Sequence, residues 1–378
     1  MRLHGHWYRG GTSKCWLFDA QDMAQHADTR EEMVGLLADA FGAADARQLD
    51  GVGGGTSTTS KAAIITATPA GPADLDYLFA QVGIGEPTVE LGSNCGNCAT
   101  AIALYAVQAG LVAPAEGTTR VRMRNLNTGA VLTGTIATPG RRIPTSGRAT
   151  VPGSDAPGVP VSLSFHAPWG QTTGAVLPTG SPADRLAVGH TVLTASMVDA
   201  GAPAVFLRAD EAGIDLSRMD SGLAEHLPQL LAARAAAGVA MGLRRPEDPP
   251  QNAIPKVGVV APAGDYTAAD GSRIAADSHD VRVRMLSMLA PHPAIGLTSA
   301  VAVSLAGAVA GSVVADALSP VDTGRSTRLL RIGTPAGVIT TEAITDGSGA
   351  VTEVALHRAA RQLAVADIDV ARPLAQTA

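Results

Sequence analysis

The fold is decided by residues 91–112, which read LGSNCGNCATAIALYAVQAGLV. Ser93 or Asn94 is a suitable N-cap for a helix with a body at 99–109 and a stop at Gly110. The body carries almost no polar face, because its residues are Ala, Ile, Leu, Tyr, Val and one Gln. Such a helix is expected to be surrounded by protein on all sides. The sequence therefore predicts a helix through the middle of a domain.

The start of this helix is predicted to hold a reactive thiol and to bind a carboxylate. With its N-cap at Ser93 or Asn94, Cys95 falls in the first helical turn. Unpaired backbone N–H groups and the positive end of the helix dipole favour negative charge there. We therefore expect a lowered pKa for the Cys95 thiol and a place for a substrate carboxylate near Gly96 and Asn97.

Length and composition limit the classes of protein to consider. The chain has 378 residues, enough for two domains that each bury a core. Apolar residues make up 46% but aromatic residues only 3%, so small aliphatic side chains must fill the cores. The 42 glycines and 24 prolines predict many tight turns between strands. The net charge of −6 has no runs of one sign, which argues against nucleic-acid and membrane partners.

The cysteines and the chain start predict a compartment. Three cysteines, Cys15, Cys95 and Cys98, do not make a disulfide framework, so a reducing cytosol is expected. The first twenty residues lack the apolar segment of a secretory signal, and no apolar run is of membrane-spanning length. A cytoplasmic protein is the interpretation.

Two loops of small and polar residues precede the helix. The first, RGGTSK at 9–14, is a turn that presents Thr12 and Ser13. The second, DGVGGGTSTTSK at 50–61, contains the turn Gly53, Gly54 and Gly55, then the hydroxyl of Ser57, and ends at Lys61. Glycine turns let backbone N–H groups approach an anion closely, so both loops are candidates for binding carboxylates.

A weak internal repeat suggests two similar halves. Lys61 is followed by the apolar run AAIITA and Lys256 by VGVVA, and each is followed further on by a polar-capped apolar helix. The second helix is predicted to begin at Thr298 and Ser299. Two similar sheets, each wrapped around a helix, are the simplest interpretation.

An ordered set of motifs resembles the PrpF family, which includes methylaconitate isomerases, methylitaconate delta-isomerases and 4-oxalomesaconate tautomerases. The motifs, in chain order, are RGGTSK (9–14), DGVGGGTSTTSK (50–61), NCGN (94–97), VLPTG (176–180), VDAGAPAVFLRADEAG (198–213), IPKVGVV (254–260) and HPAIGLTSA (292–300). The set extends over most of the chain.

The resemblance implies a fold and an activity. The fold is α+β and diaminopimelate-epimerase-like: two pseudo-symmetric domains, each a curved sheet around a central apolar helix, with the active site in the cleft between them. The activity is 1,3-allylic isomerisation of a small unsaturated di- or tricarboxylate without a cofactor or metal. In that family a lysine and a cysteine are the proposed catalytic pair, which correspond to Lys61 and Cys95 here.

The chemistry of double-bond migration needs the same kinds of group. A proton leaves one carbon, a dienolate forms, and a proton returns two carbons away, so the site needs a base, an acid and cationic or N–H donors. Lys61 and Cys95 are the acid and base candidates, with the assignment left open. The expected substrate contacts are Thr12, Ser13, Gly53, Gly54, Gly55, Ser57, Asn94, Gly96, Asn97, Arg282, His292, Thr298 and Ser299.

Three positions depart from the family pattern and leave the substrate open. Cys15 stands where glycine is usual, Cys98 where methionine is usual, and Ser299 where glycine is usual. Three other functions compete with isomerisation. A racemase or epimerase of the same fold is disfavoured because the second helix starts without a thiol. The C-x-x-C form of Cys95 and Cys98 also permits a dithiol redox protein, and the scaffold permits a non-catalytic binding protein.

We expect the domains to comprise 1–142, completed by a strand from 350–378, and 143–349. The expected partner is a small polycarboxylate, with no nucleic acid and no membrane, and a homodimer is left open.

Overall fold

The computed structural model describes residues 1–69, 71–92, 94–248, 252, 254–318, 327–348 and 350–370. Within it the chain forms two compact units. Unit 1 comprises Met1–Leu163 and the segment that begins at His357, and unit 2 comprises Ser164–Leu356.

Strands dominate both units. In chain order they are β1 (Arg2–Gly10), β2 (Ser13–Asp19), β3 (Lys61–Ala67), β4 (Leu75–Val82), β5 (Val89–Glu90), β6 (Gly117–Asn125), β7 (Val131–Thr138), β8 (Ala149–Val151), β9 (Ser154–His166), β10 (Asp184–Val188), β11 (Thr191–Ala200), β12 (Ala202–Arg208), β13 (Lys256–Pro262), β14 (Tyr266–Thr267), β15 (Arg273–Ile274), β16 (Val281–Ser287), β17 (Ala290–Pro291), β18 (Thr327–Thr334), β19 (Gly337–Thr345) and β20 (Val351–Asp369). The Pro- and Gly-rich segment 139–160 thus includes strand residues that its composition does not predict.

The α-helices are fewer. They are α1 (Ala20–Ala24), α2 (Arg30–Phe41), α3 (Gly96–Gln108), α4 (Leu227–Ala240), α5 (Leu297–Ala308) and α6 (Val313–Ala317). None of the helices that the structure describes has both the length and the apolar character that a membrane crossing needs.

Helix α2 shows how local sequence sets its ends. Thr29 and Glu32 form a capping box, in which the Thr29 hydroxyl accepts from the Glu32 amide and the Glu32 carboxylate accepts from the Thr29 amide. Gly42 ends the helix in the left-handed conformation at φ 66°. Phe41 and its apolar neighbours at helical spacing are buried against the sheet of unit 1.

The sheet of unit 1 encloses helix α3. Along the sheet β1 pairs antiparallel with β2, β2 parallel with β3, β3 antiparallel with β4, β4 parallel with β6, and β6 antiparallel with β7. The parallel neighbours β4 and β6 need a crossover connection, and α3 lies in that connection. Every residue from Cys98 to Val107 is buried, as the uncharged apolar sequence predicts. A Cβ on Gly134 of β7 would lie 2.2 Å from the Ala103 Cβ, so glycine allows this close contact between helix and sheet.

Unit 2 has the same succession of pairings. The order is β11 antiparallel with β12, β12 parallel with β13, β13 antiparallel with β16, β16 parallel with β18, and β18 antiparallel with β19. Helix α5 lies in the crossover between β16 and β18, and its residues from Ser299 to Gly307 are buried. Lys256 is the first residue of β13, as Lys61 is the first residue of β3.

The turn between β1 and β2 packs on the first turn of α3. A Cβ on Gly10 would lie 1.9 Å from the Asn97 carbonyl oxygen, and a Cβ on Gly11 would lie 2.2 Å from the Asn97 side-chain oxygen. Gly11 also has a φ of 52°, which L side chains rarely adopt. These two glycines therefore allow the turn to lie directly on the helix start.

We predict that Gly10→Ala lowers the free energy of unfolding by about 1–3 kcal/mol, because the new methyl group overpacks the contact with Asn97. Gly35→Ala is the matched control: Gly35 lies on the exposed side of α2 with no atom within 4 Å of an added Cβ. That change should stabilise the protein by up to about 1 kcal/mol. Urea unfolding of both variants checks this, and equal stability of the two would contradict the packing described.

Candidate active site

Lys61 lies at the start of β3, and its side chain contacts residues of the neighbouring strand β4. The residue is 9% exposed, and its Nζ donates a hydrogen bond of 2.5 Å to Gln81 Oε1. The register between β3 and β4 places Lys61 directly opposite Gln81. Nζ also lies 5.1 Å from the centre of the Phe79 ring. Among the described residues no carboxylate forms an ion pair with Lys61, so its polar partner is a neutral amide.

Cys95 is the N-cap residue of α3. The prediction that it lies inside the first turn is therefore wrong, because the helix begins at Gly96 with Cys95 in an extended conformation. Of the two N-caps predicted, Asn94 precedes the cap and Ser93 lies outside the described residues. Asn94 Oδ1 instead accepts a hydrogen bond of 3.0 Å from the hydroxyl of the buried Tyr77.

The pKa of the Cys95 thiol is raised well above its usual value, which corrects the expectation of a lowered pKa. The largest cause is a side-chain hydrogen bond to Cys98, followed by desolvation, whereas the electrostatic interaction with Lys61 and a backbone hydrogen bond from Cys98 act in the opposite direction. A thiol that donates a hydrogen bond holds its proton, and here the causes that raise the pKa exceed those that lower it. Cys95 is therefore a neutral thiol near pH 7.

All three cysteines of the chain interact in a row. Cys98 is fully buried, and both desolvation and a side-chain hydrogen bond to Cys15 raise the pKa of its thiol. Cys15 lies in β2 and is also buried, and all three thiols are free. The row therefore runs from Cys95 through Cys98 to Cys15.

The hydroxyls of the first loop meet the same end of α3. Asn97 Nδ2 donates to Thr12 Oγ1 at 3.1 Å and to Ser13 Oγ at 3.3 Å. Asn97 Oδ1 is buried without a hydrogen-bond partner among the described residues. The structure thus brings together Thr12, Ser13, Gly96 and Asn97, four of the residues predicted to contact substrate.

The glycine loop is held by its own side chains. The Gly55 amide donates to Gln48 Oε1 at 2.8 Å, and the Gly54 amide donates to Ser60 Oγ at 3.4 Å. A Cβ on Gly53 would lie 2.1 Å from Gln48 Oε1. The amides of Gly54 and Gly55 are therefore engaged inside the loop rather than left for a carboxylate. Ser57 lies on the same loop and is exposed.

The predicted contacts in unit 2 fall into two separate groups. A Cβ on Gly296, the N-cap of α5, would lie 3.4 Å from Ser299 Oγ and 4.0 Å from His292 Nε2, so these two side chains meet at the helix start beside Thr298. Arg282 lies elsewhere, in β16, where its Nε donates to the Pro262 carbonyl at 2.9 Å. Desolvation lowers the pKa of Arg282, and Asp215 acts against that shift.

Sequence reasoning missed two side chains beside the catalytic candidates. Gln81 holds Lys61, and the antiparallel hairpin of β3 and β4 is the signal that pairs them. Arg358 in β20 is 5% exposed and interacts electrostatically with Cys95. Its position far along the chain offers no local signal. Among the described residues no group of three His, Cys, Asp or Glu side chains is placed to hold a metal ion.

We predict that Cys98→Ala lowers the pKa of Cys95, because it removes the hydrogen bond that most raises it. The measurement is the pH midpoint of Cys95 alkylation by iodoacetamide, followed on the Cys95 peptide by mass spectrometry. The pH midpoint responds to a change of the thiol pKa, whereas a change in reagent access alters the alkylation rate at every pH. Cys15→Ala is the control, since it leaves Cys98 beside Cys95, and an unchanged midpoint in Cys98→Ala would contradict the prediction.

Relatives that are named isomerases match almost the whole chain. The model of the PrpF protein family matches residues 1–371. A 2-methyl-aconitate isomerase of Cupriavidus necator is 33% identical over 382 residues, covering 96% of this chain and 96% of the relative. A (4E)-oxalomesaconate Delta-isomerase of Novosphingobium sp. (strain KA1) is 34% identical over 361 residues, covering 94% of each chain.

Solved structures agree with these relatives. The crystal structure of a methylitaconate-delta-isomerase superposes with a TM-score of 0.84 at 30% identity, covering 97% of this chain and 95% of that one. A hydroxyproline epimerase from Agrobacterium vitis has a TM-score of 0.50 at 11% identity, over 97% and 92% of the two chains, and this likeness concerns the fold alone. The match over nearly the whole length and the shared fold lead to one conclusion: the chain belongs to the PrpF family.

Proposed function

We propose that this isomerase moves a carbon–carbon double bond by one position in a small unsaturated di- or tricarboxylate, without a cofactor. The relatives are named for 2-methyl-aconitate, (4E)-oxalomesaconate and 3-methylitaconate, which share an unsaturated carbon skeleton with several carboxylates. The observation that supports the proposal is the electrostatic interaction between Lys61 and Cys95, an amine and a thiol of unit 1.

The two groups suit a proton relocation. Allylic isomerisation removes a proton from a carbon next to a carboxylate-bearing group and returns one to the carbon two positions away. Because Cys95 is a neutral thiol near pH 7, we propose that it donates the returning proton. Lys61, held by Gln81, takes up the proton that leaves the other carbon, and the ammonium and thiolate that result exchange protons with solvent before the next turnover. Asn97 and the hydroxyls of Thr12 and Ser13 lie where they can orient a carboxylate.

The intermediate needs stabilisation between these two steps. Its negative charge spreads from the allylic carbons onto a carboxylate, and fixed cations and N–H donors lower its energy. The backbone N–H groups of Gly96 and Asn97 belong to the first turn of α3, where the helix leaves its amides without intrahelical acceptors. We propose that these amides face the carboxylate that carries the developing charge.

Other parts of the proposal rest on the sequence patterns and on the family resemblance. They are the diaminopimelate-epimerase-like fold with two pseudo-symmetric domains, the division at 1–142 and 143–349 with a strand from 350–378, the cytoplasmic location, and substrate contacts by Ser57, Arg282, His292, Thr298 and Ser299. The homodimer and the placement of the site in a cleft also stay predictions.

The alternatives fit less well. A two-base racemase needs a second proton donor, and α5 begins at Leu297, Thr298 and Ser299 without a thiol. A dithiol redox protein is favoured only by the contact between Cys95 and Cys98. Thiol–disulfide exchange needs a thiolate, and the raised pKa of both thiols opposes it.

Proton NMR in D2O tests the reaction. The acids are cis- and trans-aconitate, methylaconitate, methylitaconate and 4-oxalomesaconate. We expect deuterium at an allylic carbon of at least one acid, with a rate at least about 100-fold lower in Lys61→Ala and Cys95→Ser. Lys256→Ala is the matched control at the corresponding strand start, and it should retain activity. Absence of exchange with every acid, or full activity of Lys61→Ala, would refute the proposal.

The pH dependence of kcat tests which proton Cys95 handles. A thiol that acts as an acid is active below its raised pKa, so the rate should hold through neutral pH and fall at alkaline pH as the thiolate forms. Cys98→Ala lowers that pKa and should move the alkaline fall to lower pH. If Cys95 were instead the base, the rate would rise with pH and Cys98→Ala would be faster near neutrality.

A further inference from the structure

Arg358 is a buried cation for which the described part of the chain supplies no hydrogen-bond or ion-pair partner. It lies in β20 within unit 1 and is 5% exposed. Its Nε is buried with no hydrogen-bond partner among the described residues, and none of the ion pairs found among those residues includes it. Desolvation lowers the pKa of its guanidinium to about 10, which leaves the group charged at neutral pH.

Arg9, on the adjacent strand β1, is a buried arginine with a structural role. Arg9 in β1 is 8% exposed, and its guanidinium donates to the carbonyls of Gly11, Ala156 and Pro157 at 3.0–3.1 Å. Arg358 has no comparable set of acceptors among the described residues. Burying a charge without a partner is unfavourable, and protein interiors pair such charges with ions or hydrogen bonds. An anion from solution would supply such a partner.

Arg358 lies near Cys95. Its electrostatic interaction with Cys95 acts to raise the pKa of the guanidinium, against the effect of desolvation. The carbonyl of the next residue, Ala359, accepts a hydrogen bond of 2.8 Å from the Gly11 amide, and Gly11 lies on Asn97. The segment of β20 around Arg358 and the first turn of α3 therefore both contact Gly11. An anion paired with Arg358 lies beside the thiol.

We propose that Arg358 binds a carboxylate of the substrate next to Cys95. The inference rests on the proposed function and narrows it, because it requires a carboxylate at the carbon that exchanges its proton with the thiol. A guanidinium pairs with a carboxylate through two parallel hydrogen bonds, which fixes the plane of the carboxylate. The same pairing stabilises the charge that the intermediate places on that carboxylate.

Binding of a saturated tricarboxylate tests the inference without needing turnover. Tricarballylate has no double bond to move, and its affinity is measured by calorimetry for wild type, Arg358→Gln and Arg358→Lys. We expect Arg358→Gln to weaken binding at least tenfold and Arg358→Lys to recover part of the loss. Arg361→Gln is the matched control, since Arg361 lies on the same strand with an exposed side chain, and its affinity should equal that of wild type.

Stability without ligand separates a binding role from a structural one. Removing an unpaired buried charge should leave the urea midpoint of Arg358→Gln equal to or above that of wild type. A structural arginine would lose stability on the same change. Methylguanidinium added to Arg358→Ala should also restore part of the tricarballylate affinity.

The outcomes distinguish this inference from the function on which it rests. Tricarballylate affinity that is the same in Arg358→Gln and wild type, or absent in wild type, would overturn the role of Arg358 even if the isomerisation is observed. Loss of affinity in Arg358→Gln together with no isomerisation of any acid would support the carboxylate site and refute the reaction.

Discussion

The close contact between the β1–β2 turn and the start of α3 is the constraint on which the site depends. Only glycine at positions 10 and 11 lets that turn lie against Asn97. The contact sets Thr12 and Ser13 beside the Asn97 amide and brings Cys15 to the far end of the thiol row. It also places Gly11 within hydrogen-bonding distance of the strand that carries Arg358. A single packing contact thus joins three separate segments of unit 1.

The electrostatics of the site follow from the hydrogen bond between the Cys95 and Cys98 thiols and from burial. Lys61 and Arg358 both interact electrostatically with Cys95, yet the thiol keeps its proton because it donates to Cys98 in a desolvated setting. The buried guanidinium of Arg358 beside a neutral thiol gives the site a surplus of positive charge. This surplus suits a substrate with several carboxylates, and it leaves the thiol as a proton donor to the intermediate.

Patterns local in sequence could be predicted, and long-range contacts could not. The buried helix follows from the uncharged run after Cys98, and the capping box of α2 follows from Thr29 and Glu32. The raised pKa of Cys95 depends on Cys98 and on burial, which a helix-terminus argument does not contain. The partner of Lys61 depends on a hairpin register, and Arg358 depends on a strand far along the chain. The family motifs supplied Lys61 and Cys95 but gave no sign of Arg358.

Cleavage of an allylic carbon–hydrogen bond is the central claim, and a single-turnover isotope effect tests it most directly. Enzyme in excess is mixed with equal amounts of protiated acid and acid dideuterated at the allylic carbon, and the remaining acids are counted by mass spectrometry. The account predicts that the protiated acid is consumed several-fold faster and that the product loses one deuterium. Equal consumption of the two acids, with all deuterium retained at its original carbon, would contradict it.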